Sequence, residues 1–225
     1  MHRIDPYEFT ETDAARTIAN LPGIWDELVM GRDAGLVAHL YPDLEGDVAD
    51  VLPRVWSAML AAGPVFRAAG QLPSGEGTVA GLHRSDGGVP KTPIDEAEIG
   101  WRGVVGDRQA ARQHHGRPWQ ALCIWSQEVI DAFAAQGHPI AAGSAGENLT
   151  LRGLDWADVR PGTRLRIGGM LCEISSWALP CKKNARWFTG GDFMLMHHDR
   201  GPVSRAYATV LEPGVVRTGD TVVLH

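Results

Sequence analysis

Cysteine is scarce in this 225-residue chain: Cys123, Cys172 and Cys181 are the whole complement, and no two of them form a CxxC pair. Three thiols without paired spacing argue against a disulfide scaffold and against a cysteine-rich zinc site. Excess positive charge is missing as well. With a net charge of −6 and a pI near 5.8, the chain lacks the basic surface that general nucleic-acid binding requires. Any anionic ligand must therefore be held by a local cluster. The longest apolar run, Val55 to Phe66, is closed by Arg67 and falls short of the roughly 20 residues that cross a bilayer as a helix. Met1-His2-Arg3-Ile4-Asp5-Pro6 carries no apolar signal region, and no flavin, haem or iron–sulfur motif is visible. The expectation is a cytoplasmic protein that engages neither membrane nor nucleic acid. What is present is ordinary: 44% hydrophobic and 21% charged residues, enough for one large core or two small ones.

Residues 1–70 read as helical. Val48, Val51, Leu52, Val55, Trp56, Met59 and Leu60 keep the three-four spacing of one buried helix face. A helix from Pro22 toward Gly31 precedes it, capped by Asn20. This region is either a small helical appendage or the contact element of a homodimer. Gly70 to Gly77 reads as a linker, because glycine and proline interrupt both regular patterns. The pattern then changes to short strands, expected at Thr78–His83, Glu96–Trp101, Trp119–Trp125, Asn148–Leu151, Arg164–Ile167, Leu171–Ser176, Ser204–Leu211 and Thr221–Leu224. One helix runs from Ser126, its N-cap, to about Gln136, with Gly137 ending it. The predicted fold class is α+β: a β-barrel over residues 78–225 with flanking helices packed outside, preceded by the helical region at 1–70.

Chemistry concentrates at Leu179-Pro180-Cys181-Lys182-Lys183. A strand up to Ser176 and a short helix over Cys181 to Phe188, with Pro180 suited to its first turn, would put the sulfur at a strand-to-helix junction. Free backbone N–H groups, the helix dipole and two ammonium groups would favour thiolate there. Cys123 and Cys172, each within a strand, read as packing residues. His114-His115 and His197-His198 are adjacent pairs, and neighbours in a strand face opposite ways, so no histidine metal site is expected. On residues alone, the loop at Gly87-Gly88 reads as a hairpin turn with solvated charges around it, and Gly146-Glu147-Asn148 as a turn or a ligand contact.

Five ordered segments carry a resemblance: Gly81 to Lys91, Gly103 to Arg108, His114 to Arg117, Ala145 to Thr150 and Leu179 to Lys183. Together they resemble the MOSC domain, the molybdenum cofactor sulfurase C-terminal domain, in its stand-alone bacterial form, over about Gly77 to His225. The resemblance implies a mixed β-barrel and a bound molybdenum cofactor (molybdopterin), with Cys181 as metal ligand or sulfur carrier. It implies that Arg84, Ser85 and Lys91 contact the cofactor phosphate, with Arg108 and Arg117 as lesser candidates, Lys182 beside the thiolate, and Glu147 and Asn148 on the pterin edge. The function so implied is molybdenum-dependent reduction of an N-hydroxylated small molecule, with electrons from a separate reductase. Two alternatives stay open: a sulfur-transfer protein receiving a persulfide on Cys181 from a sulfur donor, and a non-catalytic cofactor carrier.

Overall fold

In the computed structural model, residues 75–110, 120–160 and 162–224 are described. The helices expected before Gly70, and His114, His115 and Arg117, lie outside them. Eleven strands occur among the described residues: β1 Gly75–Arg84, β2 Thr92–Ile94, β3 Glu96–Gly100, β4 Gly103–Val104, β5 Leu122–Ser126, β6 Leu149–Arg152, β7 Arg164–Ile167, β8 Met170–Ala178, β9 Arg205–Glu212, β10 Gly214–Arg217 and β11 Thr221–Leu224. The main sheet runs β11-β7-β8-β9-β5-β6-β1-β2, and β11 also pairs with β1. That last pairing closes β1, β5, β6, β7, β8, β9 and β11 into a mixed barrel; the barrel is as expected from the strand count and its mixed pairing as the resemblance implied. A three-stranded sheet, β10-β3-β4, lies beside it.

Every pairing in the barrel is antiparallel except β5 with β6, where Ile124 lies opposite Leu149. A parallel neighbour needs a crossover, and the chain supplies one through helix α1, Gln127–Ala135. The Ser126 hydroxyl accepts from the Val129 amide at 3.3 Å, which satisfies one orphan donor of the first turn. Gly137 then takes φ +86, a conformation glycine adopts without cost. The inner face of α1 buries Ile130 and Phe133 against the barrel. Phe133 meets Phe188 edge-on, with centroids 5.3 Å apart, and so anchors the segment that follows Cys181.

Strand β5 is buried at all five residues, as suits a strand covered on both sides. Leu122, Ile124 and Trp125 join Leu82, Leu149, Ile174 and Val210 in the main core. Cys123 alternates out of it and forms a separate small cluster with Ala178 and Tyr207. That cluster is the outer face on which the cleft described below is built.

Three differences from the sequence expectation have simple causes. Gly75 to Gly77, assigned above to a linker, pair with Leu224 to Val222 as the start of β1; Gly77 tolerates no side chain there, because a Cβ would lie 2.3 Å from the Arg152 carbonyl oxygen. Strands β2 and β4 are three and two residues long, too short for alternation to register, and β10 offers only the adjacent apolar pair Val215-Val216. After Cys181 the chain forms a 3₁₀ helix, Lys182–Trp187, in place of a helix that includes the cysteine. Cys181 is its N-cap, in extended conformation (φ −124, ψ 158) and without a side-chain cap bond.

Candidate functional site

An open cleft enclosing about 740 Å³ of empty space, its solvent mouth included, lies over the outer face of β5 and β9. Its floor comes from the barrel: Cys123 on β5, and Arg205 and Tyr207 on β9. Cys123 and Tyr207 are register partners, and Arg205 stands two residues from Tyr207, so all three side chains share one face. Arg205 in turn lies opposite Ala178, the last residue of β8. Of the next residues, Leu179, Cys181, Lys183 and Asn184 form one wall and bring the Cys181 thiol into the lining. The opposite wall is built by Gly88, Val89 and Lys91 and by Ala145, Gly146 and Asn148.

Cys181 is exposed, whereas Cys123 and Cys172 are buried. Its thiol faces Asn184 Oδ1 at 3.7 Å. Asn184 is itself buried; its amide donates to Met196 Sδ at 3.4 Å, and its backbone N–H donates to the Cys181 carbonyl at 2.9 Å. The turn thus presents the sulfur to the cleft from a fixed base. Of the two lysines that follow, Lys183 lines the cleft and Lys182 does not, a consequence of the three-residue turn that sends neighbours to different sides.

The other residues named from the sequence divide into three groups. Lys91 lines the cleft, but its ammonium pairs with Asp107, the two side chains being 8% and 3% exposed. Asp107 also accepts from the Ser85 amide at 2.8 Å and from the Asn148 side-chain amide at 3.0 Å. Asn148 further spans the cleft's back wall, its Oδ1 accepting from the Cys123 amide at 3.2 Å and its Nδ2 reaching the His83 carbonyl at 3.3 Å. The free cation expected at Lys91 and the free amide expected at Asn148 are therefore both engaged in one buried network. Arg108 reaches the mouth of the cleft and pairs with Asp86 at 2.9 Å in solvent. Arg84, Ser85, Glu147 and Lys182 fall outside the lining. Arg84 is exposed and runs along Gly106, and the Ser85 hydroxyl closes its own turn, donating to the Gly88 carbonyl at 3.1 Å and accepting from the Gly87 amide at 3.3 Å. Glu147 is fully buried, with Oε1 accepting from the Gly143 amide, and burial pushes its carboxyl above the usual range.

Behind the same wall sits His83, its ring packed between Gly81 and Gly143, where added Cβ atoms would approach it to 3.0 and 2.8 Å. Burial, and then the Lys91 charge, lower its pKa to about 4. A folded-state pKa below the ordinary 6.5 means that the unfolded chain takes up the proton first as pH falls. Stability conferred by neutral His83 is therefore complete above about pH 6.5 and lost progressively between 6.5 and 4, by roughly 2–3 kcal/mol after allowance for residual screening. Urea unfolding at stepped pH should show this acid limb flattened in His83→Gln; an unchanged slope would remove His83 as its source.

Sequence reasoning missed Arg205, Tyr207 and Asn184, and of the two lysines after Cys181 it named Lys182 for the cofactor where Lys183 lines the cleft. A single arginine among the alanines, valine and threonine of β9 was the available signal for Arg205. His197, His198 and Asp199 bring three ligand-type atoms within 4.8 Å. They sit in a turn and not in a strand, so the reason given above for discounting them does not apply. The two imidazoles stack at 4.2 Å and 30°, and His198 stacks on Trp177 at 5.0 Å and 10°.

Fold and cleft together define a class: a closed mixed β-barrel that presents an exposed thiol and a buried guanidinium in one open cleft. The MOSC domain family model matches residues 111–223, and the chain belongs to the MOSC domain family, whose members are associated with molybdenum-cofactor binding. A Bacillus subtilis protein named YflK, described as uncharacterized, is 31% identical over 134 residues, which are 59% of this chain and 60% of that protein. The match thus spans less than two thirds of the curated relative. Among solved structures, YiiM from Escherichia coli is 25% identical with a TM-score of 0.50 over 66% of this chain and 69% of that one. YuaD from Bacillus subtilis, at 17% identity and TM-score 0.53 over 69% of this chain and 98% of that one, shares the fold.

Proposed function

We propose that the protein holds the molybdenum cofactor in this cleft with the Cys181 thiolate as a metal ligand. In this reading it reduces an N-hydroxylated small molecule, with two electrons drawn from a separate reductase. The observation that carries the reading is the position of Cys181: it is the exposed thiol of a MOSC barrel and lines the cleft. A thiolate is a soft ligand and suits a metal already bound by sulfur. Lys183 and Arg108 at the mouth, and Arg205 on the floor, are the groups available to the anionic part of the cofactor. The bound group would supply a two-electron redox centre; the chain's part is to hold it, orient the substrate and shape the cleft.

Protein purified from molybdate-supplied cells should carry stoichiometric molybdenum and, with reduced methyl viologen as donor, convert a hydroxylaminopurine to the amine. Metal-free protein from such cells would sink the proposal. The exposure of Cys181 also favours one second reading, a sulfur carrier that takes a persulfide from a donor protein. Cyanide-labile sulfur on Cys181 in protein without molybdenum would select it.

A further inference from the structure

Arg205 is 6% exposed, yet it lines an open cleft. Its Nη1 donates to the Ala145 carbonyl at 2.5 Å and stands 4.0 Å from Cys123 Sγ; its Nη2 is 3.4 Å from the Leu179 carbonyl. Its Nε is buried with no acceptor. The guanidinium thus ties the strand before Cys181 to the loop before β6, while part of its hydrogen-bonding capacity stays unused.

It also lacks a resident counter-ion among the described residues. A guanidinium stays protonated in proteins, and a buried charge left unpaired is strongly unfavourable. None of the buried acidic groups around it forms an ion pair with it among the described residues, and the exposed Cys181 thiol, whose charge also acts on Arg205, is the atom that a bound group would engage. Glu147, Cys123 and Tyr207 are each pushed up by burial toward their neutral forms. Asp107 is already taken by Lys91. What remains is the open side of the cleft.

We infer that Arg205 makes the floor of the cleft a receptor for one oxygen anion of the ligand, seated beside Cys123 and within reach of a group bound at Cys181. The chemistry is that of a phosphate monoester or a carboxylate, both of which accept charge-assisted hydrogen bonds from a guanidinium. A phosphate would belong to a cofactor and a carboxylate to a substrate. The inference holds with or without molybdenum, so its test uses the full chain made in a host that lacks the pterin cofactor.

Cys181 is alkylated with iodoacetate and with iodoacetamide, each forming a thioether and releasing iodide, and the ratio of the two rates is compared with that of glutathione. A receptor at Arg205 should raise the ratio for the anionic reagent by about tenfold, the scale of one charged hydrogen bond. Arg205→Gln should return it to the glutathione value and Arg205→Lys should keep part of it. A purely structural Arg205 would alter both rates alike. Inorganic phosphate or acetate, added to the wild type, should slow iodoacetate more than iodoacetamide. Stronger protection by phosphate identifies the phosphate source, stronger protection by acetate the carboxylate source, and protection by neither overturns the inference. So does a wild-type ratio no higher than that of glutathione, a comparison that survives even if Arg205→Gln fails to fold.

Discussion

Cys181→Ser is expected to abolish molybdenum retention while leaving the melting temperature nearly unchanged. The side chain is exposed and makes one weak contact, to Asn184 Oδ1 at 3.7 Å, so its loss removes little packing. The ligand it provides is another matter, because an alcohol at neutral pH does not replace a soft thiolate. Cys172→Ser supplies the contrast. That thiol is fully buried in β8, and burial, followed by the Glu173 charge, pushes it up to about 12. The serine variant should melt lower yet keep the metal. Cys123→Ser should also keep it, since burial holds that thiol in its neutral form. Metal analysis by mass spectrometry beside a thermal melt separates the cases. Equal molybdenum in all three variants would show that the ligand lies elsewhere.

The second large effect belongs to Asp107. Its carboxylate collects the Lys91 ammonium, the Ser85 amide and the Asn148 side chain in a setting nearly closed to solvent. Removing one member of such a buried pair leaves the other charge uncompensated, at a cost of about 3–5 kcal/mol. Asp107→Ala should therefore lower the melting temperature by roughly 8–15 °C for a unit of this size. Lys91→Met should cost less, because the carboxylate would retain two donors while the lysine would have retained none. A cost for Lys91→Met equal to or above that for Asp107→Ala would reject this view of the network. The comparison bears on cofactor binding too. Lys91 reads from the sequence as a free cation in a glycine-rich loop, and structurally its charge is already spent.

That contrast shows where sequence legibility ends. Strands such as Arg164–Ile167 and Thr221–Leu224 appear at their expected bounds, and Ser126 caps α1 as its hydroxyl predicts, because alternation and capping are local properties. Cys181 stood out by its neighbours in sequence, and the turn after it was legible in outline, though not its 3₁₀ form. The partners of Lys91 and Asn148 were not legible: Asp107 is sixteen and forty-one residues away from them, and only strand register brings the three together. Arg205 was hidden for the same reason. Its lone positive charge in an apolar strand is the one local mark, and it says nothing of a cleft; β9 must first lie between β5 and β8 before its outward face meets the segment carrying Cys181.

The pairing of β1 with β11 sets the order of events during synthesis. Gly75 to Thr78 pair with Leu224 to Thr221, so the first described strand waits for the last. While the ribosome is still adding residues before Thr221, β1 holds an edge with unsatisfied amides and carbonyls, and β7 lacks a neighbour on its other side. Closure over so long a loop is slow compared with local pairing, and an open strand edge in a nascent chain invites the wrong partner. The glycines at Gly75 and Gly77 make that waiting edge poor in side chains, which leaves it little apolar surface with which to recruit another chain before β11 arrives.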